Sequence, residues 1–249
     1  MSLLPLEFLL LLAAVALFTG FIKAGIPALG GLISAVVALA FSPREALGIC
    51  LIYLLVGDLI AVSFYWRLAH FNELKKMIYP VLLGIAAGGV MLSFLDNNNL
   101  GLIIGLLVVF LVLLEPFRPK ITEFAVCNPR SIRIGSGIVA GISTTIGNAA
   151  GPIAALYFLL LKLDKKTFIG TSSIFFLSVN TTKIPIFYYQ DLFTVAYLPS
   201  IGLTAPLVYF GALFGKNFLN WVSQIWFTRI ILICSALAGF WLILRYFLT

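Results

Sequence analysis

Residues 20–31 read GFIKAGIPALGG and lie in the middle of an apolar stretch that covers residues 8–41. A membrane-spanning helix needs about 20 apolar residues, so this stretch is too long for one span. Glycine and proline disfavour the interior of a helix. The sequence therefore predicts two helical segments, joined by non-helical backbone in the middle of the stretch.

A second interruption of the same character lies about 121 positions later. Residues 141–152 read GISTTIGNAAGP, inside an apolar stretch that covers residues 134–161. Each interrupted stretch is followed by further apolar runs and polar segments, so the order of segments repeats although few residues are identical. Repeats of this kind are common in transporters, where interrupted segments at matching places indicate the binding site. We predict a single membrane domain over residues 1–249, built from repeats at 1–117 and 130–249.

The composition identifies a polytopic membrane protein of the all-α class. Of the 249 residues, 62% are hydrophobic and 10% are charged, whereas a soluble domain has about 45–50% and about 25%. A soluble enzyme, a nucleic-acid-binding protein and a disordered protein are therefore poor interpretations. The net charge of +7 comes mostly from Lys and Arg in short loops, which indicates orientation in a lipid bilayer rather than a nucleic-acid partner.

The side chains that carry metal and redox chemistry are scarce. The chain has one histidine, His70, and three cysteines without a CxxC spacing. We therefore expect no disulfide framework, no metal site and no cofactor. No nucleophile–base pair is visible either, so an intramembrane enzyme is the weakest of the functional classes considered.

The distribution of positive charge separates two topologies for the interrupted stretches. If each stretch crosses the membrane once, as a long helix kinked at glycine, the loop Lys and Arg divide 8 to 6 between the two sides. If each stretch enters and returns on one side, the division is 12 to 2, as the positive-inside rule expects. We therefore predict two inverted repeats, each a broken, re-entrant helical hairpin followed by three transmembrane helices, with both chain ends outside. Arg44 and Arg245 face outward, and the twelve inward residues are Arg67, Lys75, Lys76, Arg118, Lys120, Arg130, Arg133, Lys162, Lys165, Lys166, Lys216 and Arg229.

The interruptions also predict an anion site. Non-helical backbone at membrane depth survives where it is buried in protein or lines a cavity, and half-helix ends there present free N–H groups and partial positive charge. Lys23 lies roughly 15 residues into its apolar stretch, and a lysine at mid-membrane costs about 2.5–3.5 kcal/mol. The predicted substrate-binding residues are Lys23, Gly25, Thr144, Thr145, Gly147, Asn148, Asn180 and Lys183.

Two of these predictions have alternatives. Asn180 and Lys183 share one face of the apolar run at 168–189, but hydroxyl and amide residues also hold helices together. Lys183 is close enough to the end of this run to reach the membrane surface. Asp58, the one acid well inside an apolar run, pairs with Lys23, caps a broken helix or carries a coupling proton. All three roles remain open at this point.

The two Gly-rich interruptions at 20–31 and 141–152, with a basic turn and a hydroxyl-bearing segment after them, carry a family resemblance. The segment is best seen in Phe168-Ile169-Gly170-Thr171-Ser172-Ser173. Over nearly its whole length the chain resembles the TauE/SafE family of sulfite and organosulfonate exporters (the TSUP family). Members often carry a tighter run of glycines, which residues 26–29 and 148–150 interrupt here.

This resemblance implies a multi-pass protein of the bacterial cytoplasmic (inner) membrane that exports a small sulfur-containing anion, such as sulfite or an organosulfonate. The residues themselves support the coarser prediction of a secondary transporter for a small anion, with Asp58 as the candidate for proton coupling. A passive small-anion channel is the alternative. Accumulation against a gradient distinguishes the two, because a channel cannot concentrate its substrate.

Overall fold

The computed structural model describes residues 3–25, 30–117, 120, 129–160, 163, 165–218, 233, 236–237, 240–241, 243–244 and 246–248. The secondary structure of these residues is helical, without a strand. Some of the predicted segments lie outside the described residues. They are residues 26–29, much of the loop at 115–133 and most of the span at 230–244. The same holds for Arg118, Lys162, Arg229 and Arg245.

The described α-helices are numbered here in chain order. They are α1 (Leu6–Gly25), α2 (Gly30–Ala40), α3 (Pro43–Tyr65), α4 (Phe71–Ser93), α5 (Asn97–Leu114), α6 (Pro129–Gly147), α7 (Gly151–Leu160), α8 (Lys165–Tyr189), α9 (Leu198–Thr204) and α10 (Pro206–Phe218). Short 3-10 turns occupy Trp66–Leu68, Glu115–Phe117 and Val195–Tyr197.

The helix breaks at both predicted interruptions. The first break separates α1, which ends at Gly25, from α2, which begins at Gly30. The second break follows Gly147, where Asn148 adopts a left-handed backbone with φ of 53°. Asparagine tolerates this conformation better than most residues. Its N–H donates to Thr144 O at 3.0 Å, which closes the last turn of α6.

Three helices are long and apolar enough to cross a membrane, among the residues that are described. They are Leu6–Gly25, Pro43–Leu68 and Phe71–Ser93, and the pair Val195–Thr204 and Pro206–Asn217, bent by 45°, adds a fourth if it acts as one span. This confirms the prediction of an all-α membrane protein. Helix α8 has 25 residues but carries the polar run that was identified from the sequence.

The two ends of the bundle are defined by contacts between helix termini. At the end called upper here, Arg44 at the start of α3 donates to Leu95 O after α4, at 2.7 Å, and to Gln190 O after α8, at 3.3 Å. At the lower end, His70 N before α4 donates to Thr171 Oγ1 near the start of α8, at 2.9 Å. Helix α3 therefore runs from upper to lower, and α4 and α8 run from lower to upper.

The chain reverses direction at each break. Phe8, near the start of α1, packs on Phe41, just after α2, with ring centroids 5.4 Å apart. Both ends of this pair of helices thus lie at the upper end. Near the end of α7, Tyr157 donates to Glu73 Oε2 at the start of α4, at 3.1 Å, which puts the end of α7 at the lower end.

Glycines allow two pairs of helices to approach at backbone distance. A Cβ added at Gly88 of α4 would lie 2.9 Å from Thr145 Cβ of α6, and one added at Gly84 would collide with Ile138 O. Gly211 and Gly215 of α10 face the backbone of α1 in the same way. The Gly-x3-Gly spacing therefore marks real packing faces, and these faces hold α6 against α4 and α1 against α10.

Buried apolar side chains form two clusters. One cluster is built mainly by α1, α2 and α3, with Leu12 and Tyr53 among its fully buried members. The other is built mainly by α4, α6, α7 and α8, with Phe158 and Phe175 at its centre. Ile186 of α8 packs against both clusters, so α8 is in contact with both.

Candidate functional site

The predicted polar residues are all buried. Their relative exposure is 4% or less: Lys23 3%, Asp58 0%, Thr144 2%, Thr145 0%, Asn148 4%, Asn180 2% and Lys183 0%. Side chains of this kind are expensive to bury unless they are paired. Their partners divide all of them except Thr145 into two clusters, which both include residues of α8.

The first cluster joins α1, α3 and α8 through the Asp58 carboxylate. Lys23 Nζ lies 2.5 Å from Asp58 Oδ1, and Asn180 Nδ2 donates to Asp58 Oδ2 at 2.6 Å. The Lys23 ammonium also lies 4.6 Å from the centroid of the Phe176 ring. A Cβ added at Gly57 would lie 2.9 Å from Lys23 Cγ, so Gly57 leaves room for the lysine stem. The structure therefore contains the ion pair that was one of the roles considered for Asp58.

The second cluster joins α8 to the break between α6 and α7. Lys183 Nζ donates to Asn148 Oδ1 at 2.6 Å, and to Thr144 O and Thr144 Oγ1 at 3.1 Å each. Asn148 Nδ2 in turn donates to Ser34 Oγ of α2 at 2.8 Å. The ammonium is thus directed into the protein, and the alternative that Lys183 reaches for the membrane surface is wrong.

The two breaks are in contact with each other. A Cβ added at Gly31 would lie 2.8 Å from Ala149 Cβ, and one added at Gly30 would lie 3.1 Å from Asn148 O. The first turn of α2 therefore lies against the backbone that follows α6. The absence of side chains at Gly30 and Gly31 is what permits this approach, and it places the start of a half-helix beside the second cluster.

The other predicted residues have different neighbours. Thr145 donates to Gly141 O within its own helix at 2.9 Å. Gly25 lies next to the backbone of Gly215, and Gly147 packs against apolar side chains of α5. These three positions shape the surroundings of the site, but none of them contacts the Lys23 or Lys183 ammonium in the hydrogen bonds described.

The ionisable groups of the two clusters leave one positive charge. Lys23 and Asp58 cancel, while the acceptors of Lys183 in the described part of the chain are neutral oxygens. The buried centre is therefore net cationic.

Sequence reasoning missed Ser34, Gly57 and Phe176, which complete the clusters. Ser34 had a signal, because it is the one hydroxyl residue in the otherwise apolar α2. Gly57 immediately precedes Asp58, and a small residue beside a buried acid indicates that another side chain passes close by. Phe176 had no signal, since nothing distinguishes it from the other phenylalanines of this chain.

The helices that are long and apolar enough to cross a membrane and the buried, net cationic centre beside the two breaks are typical of a polytopic membrane transporter. The family described as sulfite exporter TauE/SafE matches residues 12–242. The chain therefore belongs to the TauE/SafE sulfite exporter family, a family of transporters, as its resemblance implied. No curated protein matches the chain, and no solved structure does so.

Proposed function

We propose that this protein is a secondary transporter that exports sulfite or an organosulfonate across the bacterial cytoplasmic membrane. Membership of the TauE/SafE family supports the class of substrate and the direction. The observation that carries the proposal is the Lys183 ammonium, which is fully buried and donates to neutral oxygens. An anion bound at this position provides the negative charge that the present partners of the Lys183 ammonium lack.

The second cluster offers the donors that a sulfur oxyanion requires. An anion that replaces the Asn148 side-chain oxygen at Lys183 gains the ammonium, the Thr144 hydroxyl and the first N–H groups of α2, which begins at Gly30. Backbone N–H groups at a helix start bind anions without further adaptation. The predicted ligands Lys23 and Asn180 act one step further away, through their bonds to Asp58.

Inverted repeats are the second part of the proposal. Asp58 and Asn180 are 122 positions apart and bond directly, as expected of equivalent residues that meet on a two-fold axis. Gly48 and Gly170, also 122 apart, pack in equivalent ways: Gly48 lies against Leu192 after α8, and Gly170 lies against Tyr65 at the end of α3 and Ala69 after it. The two hairpins open toward opposite ends of the bundle. These relations support a pseudo-two-fold axis in the membrane plane, the arrangement used for alternating access.

The lower end faces the cytoplasm in this proposal. Arg44 lies at the upper end, and the described basic residues assigned to the other end are Arg67, Lys75, Lys76, Lys120, Arg130, Arg133, Lys165, Lys166 and Lys216. This unequal division supports the orientation through the positive-inside rule. The hairpin of α1 and α2 then enters from outside, and that of α6 and α7 enters from the cytoplasm.

Binding to the purified protein tests the site. We expect sulfite, taurine or sulfoacetate to raise the melting temperature of the unaltered protein, and Lys183→Met to weaken that binding by about 10- to 150-fold. This range corresponds to one charged hydrogen bond of about 1.5–3 kcal/mol. Lys216→Met is the matched control, because Lys216 is exposed and lies over Phe64 at the lower end.

Transport into vesicles tests the mechanism. A secondary transporter in proteoliposomes accumulates its anion against a concentration gradient, which a channel does not do. Equal binding by Lys183→Met and the unaltered protein, with both eluting as the same folded species, would remove Lys183 from the site. Equilibration without accumulation under every imposed ion gradient would favour the channel.

A further inference from the structure

Three ionisable side chains determine the charge of the buried centre, and only one of them is acidic. Lys23 and Lys183 are basic. Asp58 is acidic, and its side-chain partners are Lys23 of α1 and Asn180 of α8. With Asp58 ionised the centre carries one net positive charge. With a proton on Asp58 it carries two.

We propose that the protonation of Asp58 sets the charge of the anion that the site accepts. With Asp58 ionised, the centre neutralises a single negative charge. A dianion therefore enters together with one proton, which binds the Asp58 carboxylate. This inference rests on the proposed function, because it concerns the same anion at Lys183. Proton coupling then follows from the charge of the substrate rather than from a separate proton pathway.

The link between Asp58 and the anion passes through a single turn of α8. Asn180, which donates to Asp58, lies three residues before Lys183 and therefore on the same face of the helix. Both residues are at most 2% exposed. Charges in a buried environment act on one another much more strongly than in water. A dianion at Lys183 leaves one negative charge unbalanced unless a proton neutralises Asp58.

The surroundings of Asp58 contain few other groups that titrate. Lys23 faces it from α1, and Lys183 is the ionisable residue of α8 on the same side. Helices α2 and α5 carry no ionisable side chain. Lys216 of α10 lies over Phe64, at the lower end of α3, and Cys50 lies two turns before Asp58 on its own helix. A pH effect within this centre therefore belongs to Asp58 and the two lysines.

The proton balance of this step is simple. A proton from the aqueous side binds one carboxylate oxygen of Asp58 as the dianion enters, and it leaves on the other side when the dianion is released. No bond of the anion forms or breaks. A monoanion enters without this proton. Transport of the monoanion and transport of the dianion with its proton therefore move the same net charge, one negative charge per cycle.

The test compares two anions whose charge does not change with pH, methanesulfonate with one charge and sulfate with two. Their binding to the purified full-length protein is measured at mildly acidic and mildly alkaline pH. We expect sulfate affinity to rise by up to about tenfold for each pH unit of acidification, since one proton is taken up. Methanesulfonate affinity should change by less than about twofold over the same range.

Two variants separate the charge of Asp58 from its position. Asp58→Asn should bind sulfate more tightly than the unaltered protein does, without dependence on pH. The exchange Asp58→Asn with Asn180→Asp moves the carboxylate across a contact of 2.6 Å, and it should restore the preference for methanesulfonate. The pH comparison on the unaltered protein needs neither variant to fold.

The outcomes distinguish this inference from the proposed function. Binding of neither anion, nor of sulfite, by the unaltered protein would overturn the proposed function. Binding of both anions with the same preference and the same pH dependence in all three proteins would overturn the charge assignment alone. Weaker sulfate binding by Asp58→Asn than by the unaltered protein would also overturn the charge assignment.

Discussion

The buried ion pair between Lys23 and Asp58 makes a quantitative prediction about stability. Lys23→Met removes the ammonium but leaves the Asp58 carboxylate at 0% exposure, with only the Asn180 amide as a described partner. Removing one member of a buried pair costs about 3–5 kcal/mol. For a chain of this size, each kcal/mol lowers the melting temperature by about 2–4 °C. The melting temperature should therefore fall by about 6–20 °C.

The double variant Lys23→Met with Asp58→Asn completes the test. It contains neither charge, and the substitution of a buried pair by uncharged residues is often neutral or stabilising. We expect its melting temperature to lie within about 4 °C of the unaltered protein. This value corresponds to about 1 kcal/mol. Thermal unfolding of the detergent-purified proteins, followed by intrinsic fluorescence, provides the measurement.

Lys216→Met is the control for the loss of a lysine beside an aromatic ring. Lys216 Nζ lies 4.9 Å from the Phe64 ring centroid, much as Lys23 lies over Phe176, but its side chain is exposed. The control should change the melting temperature by no more than about 2 °C. If Lys23→Met is as stable as this control, or if the double variant is as unstable as Lys23→Met, the reasoning about the buried pair is wrong.

Three further predictions concern packing, a connection at the upper end, and topology. Gly141→Ala forces a Cβ into the backbone of α4 and should lower the free energy of unfolding by about 1–3 kcal/mol. Gly202→Ala, which has nothing within 4 Å of its Cβ, should leave it unchanged, and chemical denaturation compares the two variants. Tyr197→Phe removes a 2.7 Å hydrogen bond to the Glu45 carboxylate and should lower the stability of this half-exposed site by about 1 kcal/mol. In a cysteine-free background, an impermeant thiol reagent should label Asn97→Cys from outside intact cells and Lys75→Cys only after lysis; the reverse pattern would invert the proposed orientation.

Local sequence signals were sufficient for the breaks in the helices. Glycine and proline act within their own turn, so the ends at Gly25 and Gly147 follow from neighbouring residues alone. The family was identified from the same segments and is confirmed. The topology stays a prediction. The division of Lys and Arg concerns the two sides of a membrane, whereas contacts between helices define only the two ends of the bundle.

The partners inside the site were harder to predict. Lys23 looked like the direct ligand of an anion, and its depth in the apolar stretch was the reason. The bond to Asp58 depends on how closely α1 and α3 pack, which Gly57 determines and hydropathy does not report. For Lys183, the sequence left binding and the membrane surface as alternatives, because its contacts require the left-handed backbone of Asn148 to carry an amide oxygen toward α8.

The bond between Asp58 and Asn180 has a consequence for the ancestry of this chain. Under the proposed symmetry, a half-length precursor that paired with an inverted copy of itself would place the same residue on both sides of this contact. Two carboxylates at 2.6 Å repel each other, and two amides provide no charge for Lys23. One acid facing one amide requires two separately inherited positions. Fusion of the halves into one polypeptide would thus have permitted a single titrating group at the centre of a nearly symmetric molecule.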